Sequence, residues 1–131
     1  MPERELINPD SLHPAPGFSH VTVVSATKFA FIAGQVALAP DFSVIGGDDL
    51  HAQTVAAMRN LEIALGSIDA GWDAVVRRTI YTTQPTEFGI ITAAIEEVQG
   101  TTEHPAQTIV GITGLAIPGL LIEIEATVAL A

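Results

Sequence analysis

Glu123 and Glu125, two residues apart in the run IEIEATV, are the side chains of this sequence best spaced for chemistry. In a strand, alternation puts both on one face and Ile122, Ile124 and Val128 on the other. A carboxylate held in a pocket can orient water or move a proton. The same pattern also describes the solvated face of an ordinary strand. Paired carboxylates serve glycosidases too. An aromatic fraction of 5% leaves little surface on which to stack a sugar.

The other reactive residue types are poorly arranged. His13, His20, His51 and His104 show neither His-x-His nor His-Glu-x-x-His spacing, so no metal site is expected. His104, in a loop before Pro105, reads as structural. No serine sits in a Gly-x-Ser-x-Gly elbow, and no phosphate-binding glycine motif is present. The chain has no cysteine, which removes thiol nucleophiles and disulfides and fits a cytoplasmic protein. Gln107, at the head of the apolar run TIVGI, is a neutral amide whose ordinary role is a local hydrogen bond.

The elements that must position these residues follow from periodicity. Residues 1–19 carry four prolines and read as an extended arm. HVTVVSA (20–26) and KFAFIAGQVAL (28–38) alternate as strands and pair as a hairpin in this reading. Gly34 interrupts the second, where a bulge or a close backbone approach is expected. Asp48 or Asp49 caps a helix whose stripe is Val55, Met58, Leu61, Leu65 and Ile68, and Gly71 ends it. AVVRRTIYTT (74–83) is a strand, with Arg77 and Arg78 on opposite faces. Pro85 and Thr86 open a second helix with Phe88, Ile91, Ile95 and Val98 as its apolar face. After the loop QGTTEHPAQ, TIVGITG and LLIEIEATVALA are the last strands. The order ββ-α-β-α-ββ predicts a single α+β domain over 1–131, a mixed sheet with two helices on one face. The other face must be buried by something, and identical subunits are the simplest candidate.

Charge bounds the partners. Five Lys and Arg stand against 15 Asp and Glu, a net charge of −10. Nucleic acid as the main ligand is disfavoured, because a binder must displace counterions from phosphates with a basic footprint. The N-terminus lacks the apolar stretch of a signal peptide, and no apolar run is long enough to span a bilayer, so no membrane partner is expected.

Several segments together resemble the RidA family, also called YjgF or L-PSP-type. FIAGQVALAPD is similar to the family's Ser-Gly-Gln-Ile/Val-Pro strand. QTVAAMRNLEIAL resembles its helix and VVRRTIYTT the strand after it. The closing run HPAQTIVGITGLAIPGLLIEIEATVAL is similar to its signature, from Pro-Ala-Arg-Ser/Thr to Ile-Glu-Ile-Glu-Ala. The resemblance implies a homotrimer of chorismate-mutase-like subunits, their sheets forming a central barrel, with three clefts between neighbours. In active members each cleft hydrolyses imines and enamines to a keto acid and ammonia, without a cofactor. It further implies that Glu123 positions water and that Gly34 borders the cleft. Phe18 stands where the family usually has Tyr, Ala33 replaces its serine, and Thr92 aligns best with a helix asparagine. Ala106 keeps the alanine of Pro-Ala-Arg. Gln107 replaces its arginine.

That last replacement has physical weight. Guanidinium is a permanently charged planar fork that binds carboxylate through two hydrogen bonds; glutamine offers one neutral NH2 and one acceptor oxygen. A charge-assisted bond contributes roughly 1.5–3 kcal/mol against about 1 for a neutral one, so affinity for an amino-acid-derived imine should fall on the order of tenfold. The expected function is therefore hydrolysis of an imine, enamine or related small metabolite that lacks a carboxylate. A non-catalytic small-molecule binder is the alternative. Ribonuclease or translation-inhibitor activity, a label the family sometimes carries, fits the net charge least.

Overall fold

A computed structural model describes residues 3–131. The strands are β1 (Arg4–Ile7), β2 (Val21–Val24), β3 (Lys28–Val36), β4 (Val75–Thr82), β5 (Ala106–Gly111) and β6 (Ile122–Leu130). The helices are α1 (Leu50–Gly66) and α2 (Phe88–Gln99). A four-stranded sheet has the order β3-β6-β4-β5, and β1 and β2 form a separate ribbon. β6 is antiparallel to both β3 and β4, whereas β5 is parallel to β4. The parallel pair follows from its connection, because α2 carries the chain across the sheet from β4 to β5.

Both helices pack on one sheet face, as the sequence predicts. Met58, Leu61 and Leu65 of α1 and Ile91 and Ile95 of α2 are buried against Ile80 of β4 and Ile122, Ile124 and Val128 of β6. The opposite parity, with Phe29, Phe31, Glu123 and Glu125, meets no helix. Phe29 is 52% exposed there and Phe31 80%. Asp49 caps α1 by accepting from the Ala52 amide at 3.0 Å.

Several local expectations need correction. β2 does not pair with β3; it pairs antiparallel with β1, inside the arm read only as extended, while β3 takes β6. A two-residue hairpin wants positive φ at its turn, which Ala26-Thr27 does not favour. β6 instead offers β3 a partner along nearly its whole length. α1 ends at Gly66 and not at Gly71. Ser67 closes it, with Oγ donating to the Ala64 carbonyl at 2.6 Å, and Asp69 supplies the left-handed residue at φ 55°. α2 opens at Phe88 with Glu87 as its cap, beyond Pro85 and Thr86. Phe88 is 51% exposed and lies off the core face. β5 starts at Ala106, so Gln107 lies within the strand.

Candidate functional site

The candidate residues fall into two groups on opposite edges of the sheet. The first lies beside β5. The arm folds back over the end of the sheet, held by the Ser19 hydroxyl donating to the His104 carbonyl at 2.7 Å and the Ser19 amide to Pro105 at 3.0 Å. Gly17 lets it press onto α2. Its φ is +79°, and a Cβ built there would stand 2.4 Å from Thr92 Oγ1. Between arm, α2 and β5 is a cavity of about 510 Å³, lined by Phe18, Thr92, Gln107, Phe88, His13 and Thr108 among others. That volume is within the range of small-ligand sites. Phe18 packs edge-on against His20, ring centroids 5.2 Å apart.

Gln107 is backed by a buried cation. Arg78 is 2% exposed, and its Nε donates to Gln107 Oε1. Its Nη1 donates to Gln99 Oε1 at 3.3 Å, and its Nη2 to the Gly17 carbonyl at 3.3 Å and to His104 Nδ1 at 2.6 Å. Burial lowers the Arg78 pKa to about 9, with repulsion from Arg4 adding to the fall and Glu96 opposing it. The guanidinium is still charged at neutral pH. Because guanidinium cannot accept, His104 Nδ1 must be the acceptor and Nε2 carries the proton. That Nε2 donates to Glu96 at 2.6 Å. Burial holds the His104 pKa below its ordinary value; the Glu96 hydrogen bond opposes the shift and the Arg78 charge adds to it. The structural reading of His104 fits this chain of partners.

The second group lies where β3 meets β6. Ile32 pairs with Ala126 and Gln35 with Ile124, so Ala33 and Gly34 together stand opposite the single residue Glu125. This is the bulge expected at Gly34. The close approach is there as well: a Cβ at Gly34 would stand 1.9 Å from Oε2 of Glu123. Glu123 is half-buried, and its carboxylate lies over the glycine. Since β3 and β5 are the two outer strands, Glu123, Gly34 and Ala33 do not share a cavity with Gln107, Thr92 and Phe18 within one chain. Ala106 is near the first group but faces the arm, its amide donating to Thr22 Oγ1 at 2.8 Å.

Sequence reasoning missed Arg78 as a site residue. The signal was available in its parity: Arg78, Ile80 and Thr82 alternate onto the helix-covered face, so a cation there must find internal acceptors. Among the described residues, no cluster of three or more His, Cys, Asp or Glu is placed to hold a metal, and no helix is long and apolar enough to cross a membrane.

Two helices packed on one face of a mixed sheet match the chorismate-mutase-like fold of Rid-type proteins. The profile of the family described as Endoribonuclease L-PSP matches residues 9–130. The chain belongs to that family, as a RidA-type member. It is similar to a conserved Rid family protein of unknown function, YyfB, from Yersinia pestis, with 36% identity, a TM-score of 0.90 and coverage of 98% of this chain and 99% of that one. A member of the YjgF/YER057c/UK114 family from Mycobacterium tuberculosis is 30% identical, with a TM-score of 0.66, over 98% of this chain and 100% of its own. The protein DfrA of Myxococcus xanthus is 32% identical over 127 residues, 94% of this chain and 93% of its own.

Proposed function

We propose that the protein is a RidA-type hydrolase acting on a small imine, enamine or related carbonyl adduct without a carboxylate, in clefts completed between three identical subunits. The observation that carries this reading is the division of the site. Gln107, Thr92 and Phe18 are on one edge of the sheet; Glu123, Gly34 and Ala33 are at the other. A head-to-tail contact joining the β5 edge of one subunit to the β3 edge of the next would unite them, and such a contact closes into a ring. Exposed Phe29 and Phe31 give the helix-free face an apolar surface that an assembly would bury.

In such a cleft Glu123 takes a proton from water as the oxygen attacks the C=N carbon. It passes that proton to the nitrogen, giving a carbinolamine. It then takes the hydroxyl proton and delivers it to the same nitrogen, so that the C–N bond breaks as the C=O bond forms, and the products are a carbonyl compound and ammonia. The chain's own residues supply this chemistry without a cofactor, and the cysteine-free composition suits a cytoplasmic setting. The test is ammonia release from imines generated in solution, with Glu123→Gln as control. Turnover should be seen in the wild type and lost in the variant. No turnover on any imine, or equal turnover in both, rejects the reading.

A second reading, a non-catalytic binder of small metabolites, is favoured by the cavity itself. It is already formed within one subunit, apart from Glu123. Thermal stabilisation by a metabolite that is not turned over would support it. RNA as a substrate fits poorly. Arg78 is buried, Arg4 donates to the Trp72 and Val75 carbonyls, and Arg59 pairs with Glu62, so little of an already small cationic set faces solvent unpaired.

A further inference from the structure

The side-chain amide of Gln107 is held in one orientation, and this limits what the cavity can bind. Asn and Gln amides can usually be turned over with little consequence, because oxygen and nitrogen look alike. Here the chemistry decides. Arg78 Nε can only donate, so the Gln107 atom facing it is Oε1. Arg78 cannot turn away, since Nη1 and Nη2 are engaged by Gln99, Gly17 and His104. Gln99 is anchored in turn, its Nε2 donating to the Thr101 carbonyl at 2.8 Å and the Glu103 carbonyl at 3.2 Å. The NH2 group of Gln107 is left for the cavity that the residue lines. A hydrogen bond from a cation onto the amide oxygen also polarises the N–H bonds and strengthens them as donors.

We propose that Arg78 fixes Gln107 as a one-way hydrogen-bond donor, so that the cavity anchors its ligand through a carbonyl oxygen and rejects a donor at that point. The inference rests on reading this cavity as the ligand site, and it narrows the substrate class. The ligand carries a neutral carbonyl oxygen, as an amide, ester or ketone does. Its C=N group can face Gln107 only through the nitrogen lone pair, because an imine N–H pointed there would meet another donor. Arg78 is a positioning residue. It is buried, and four of its five N–H groups are committed to protein acceptors, so it meets the cavity through the Gln107 amide.

The experiment uses the 15N-labelled full chain and two neutral five-membered rings, cyclopentanone, which only accepts, and pyrrole, which donates through N–H. The readout is the side-chain NH2 resonance of Gln107, since the Thr92 and Thr108 hydroxyls can satisfy either ring. Cyclopentanone should shift that resonance with an affinity about tenfold above pyrrole, the cost of facing donor with donor. In Arg78→Met the amide is free to turn and the preference should vanish. Equal shifts from both rings, no shift with cyclopentanone, or a preference that survives in Arg78→Met would overturn the proposal. Should Arg78→Met not fold, Gln107→Glu keeps a partner for Arg78 but has no donor, and binding to it and to the wild type is then followed by the backbone amide resonances of Thr108 and Ile109, which also line the cavity. Its affinity for cyclopentanone should fall about tenfold, and an unchanged affinity rejects the idea. Binding is measured without turnover, so an inactive protein with intact ring preference would reject the hydrolase reading alone.

Discussion

In Gly34→Ala the added Cβ would stand 1.9 Å from Oε2 of Glu123 and 2.6 Å from both its Cδ and its Cγ. Ordinary carbon contacts begin near 3.5 Å, so the carboxylate must retreat by roughly 1.6 Å. Rotating its tip is not enough, because Cγ is also in the way. Gly34 does not have the positive φ that would make alanine costly by itself. The conflict is therefore with Glu123. Two measurements follow. Misplacing a catalytic group by about 1 Å can cost on the order of 10²-fold, so kcat/KM for imine hydrolysis should fall by about that factor, as though Glu123 itself had been damaged. Overpacking should cost about 1–3 kcal/mol by urea denaturation.

The second background separates causes. In Glu123→Ala the obstructing atoms are gone, and Gly34→Ala should then cost nothing. It should even stabilise by about 0.4–1 kcal/mol, because alanine restricts the unfolded chain more than glycine does. A cost of the same size in both backgrounds would refute the claim that Glu123 occupies the space over Gly34. Unchanged kcat/KM in Gly34→Ala would refute the catalytic placement of Glu123.

Two further outcomes are expected. His104 has a folded-state pKa below that of the unfolded chain, so the unfolded chain binds more protons just below about pH 6.5. Its contribution is full above that pH and is lost as pH falls through the folded value; the urea midpoint should drop more steeply in the wild type than in His104→Gln, which can keep both Arg78 and Glu96 as partners, and equal pH slopes would contradict this. Phe31→Glu, at a residue 80% exposed on the helix-free face, should turn the proposed trimer into monomers by sedimentation while keeping the far-UV circular dichroism of the wild type, and an unchanged sedimentation coefficient would remove that face from the interface.

Much of the layer architecture was legible from local pattern. Met58, Leu61 and Leu65 repeat at helical spacing, and Ile122, Ile124 and Val128 alternate; both patterns reach the core as read. Strand pairing was less legible, because it is decided by partners far away in sequence. Nothing within SAT at 25–27 says that β3 will choose β6 over β2. Helix ends failed for a related reason. Asp69 takes the left-handed position that a reading of residue types reserves for Gly71, since a cap depends on hydrogen bonds back to Ala64 and Leu65 as much as on residue type.

The site tested the sequence in another way. Each half could be named from short motifs, but the order β3-β6-β4-β5 sets the halves on opposite edges, and no motif encodes that distance. The replacement at Gln107 looked like the loss of a cation. The structure puts a cation one residue behind it, with the register pairing Arg78 to Gln107 across β4 and β5. In this chain the nearby cation lies inside the protein, where it donates to Gln107, Gln99, Gly17 and His104. A surface arginine would attract any anion through a solvated charge. A buried one acting through an amide offers a short, directional donor with little long-range pull, which suits a neutral carbonyl better than a carboxylate. In the proposed site, substrate choice would therefore turn on Arg78 and Gln107 as a pair.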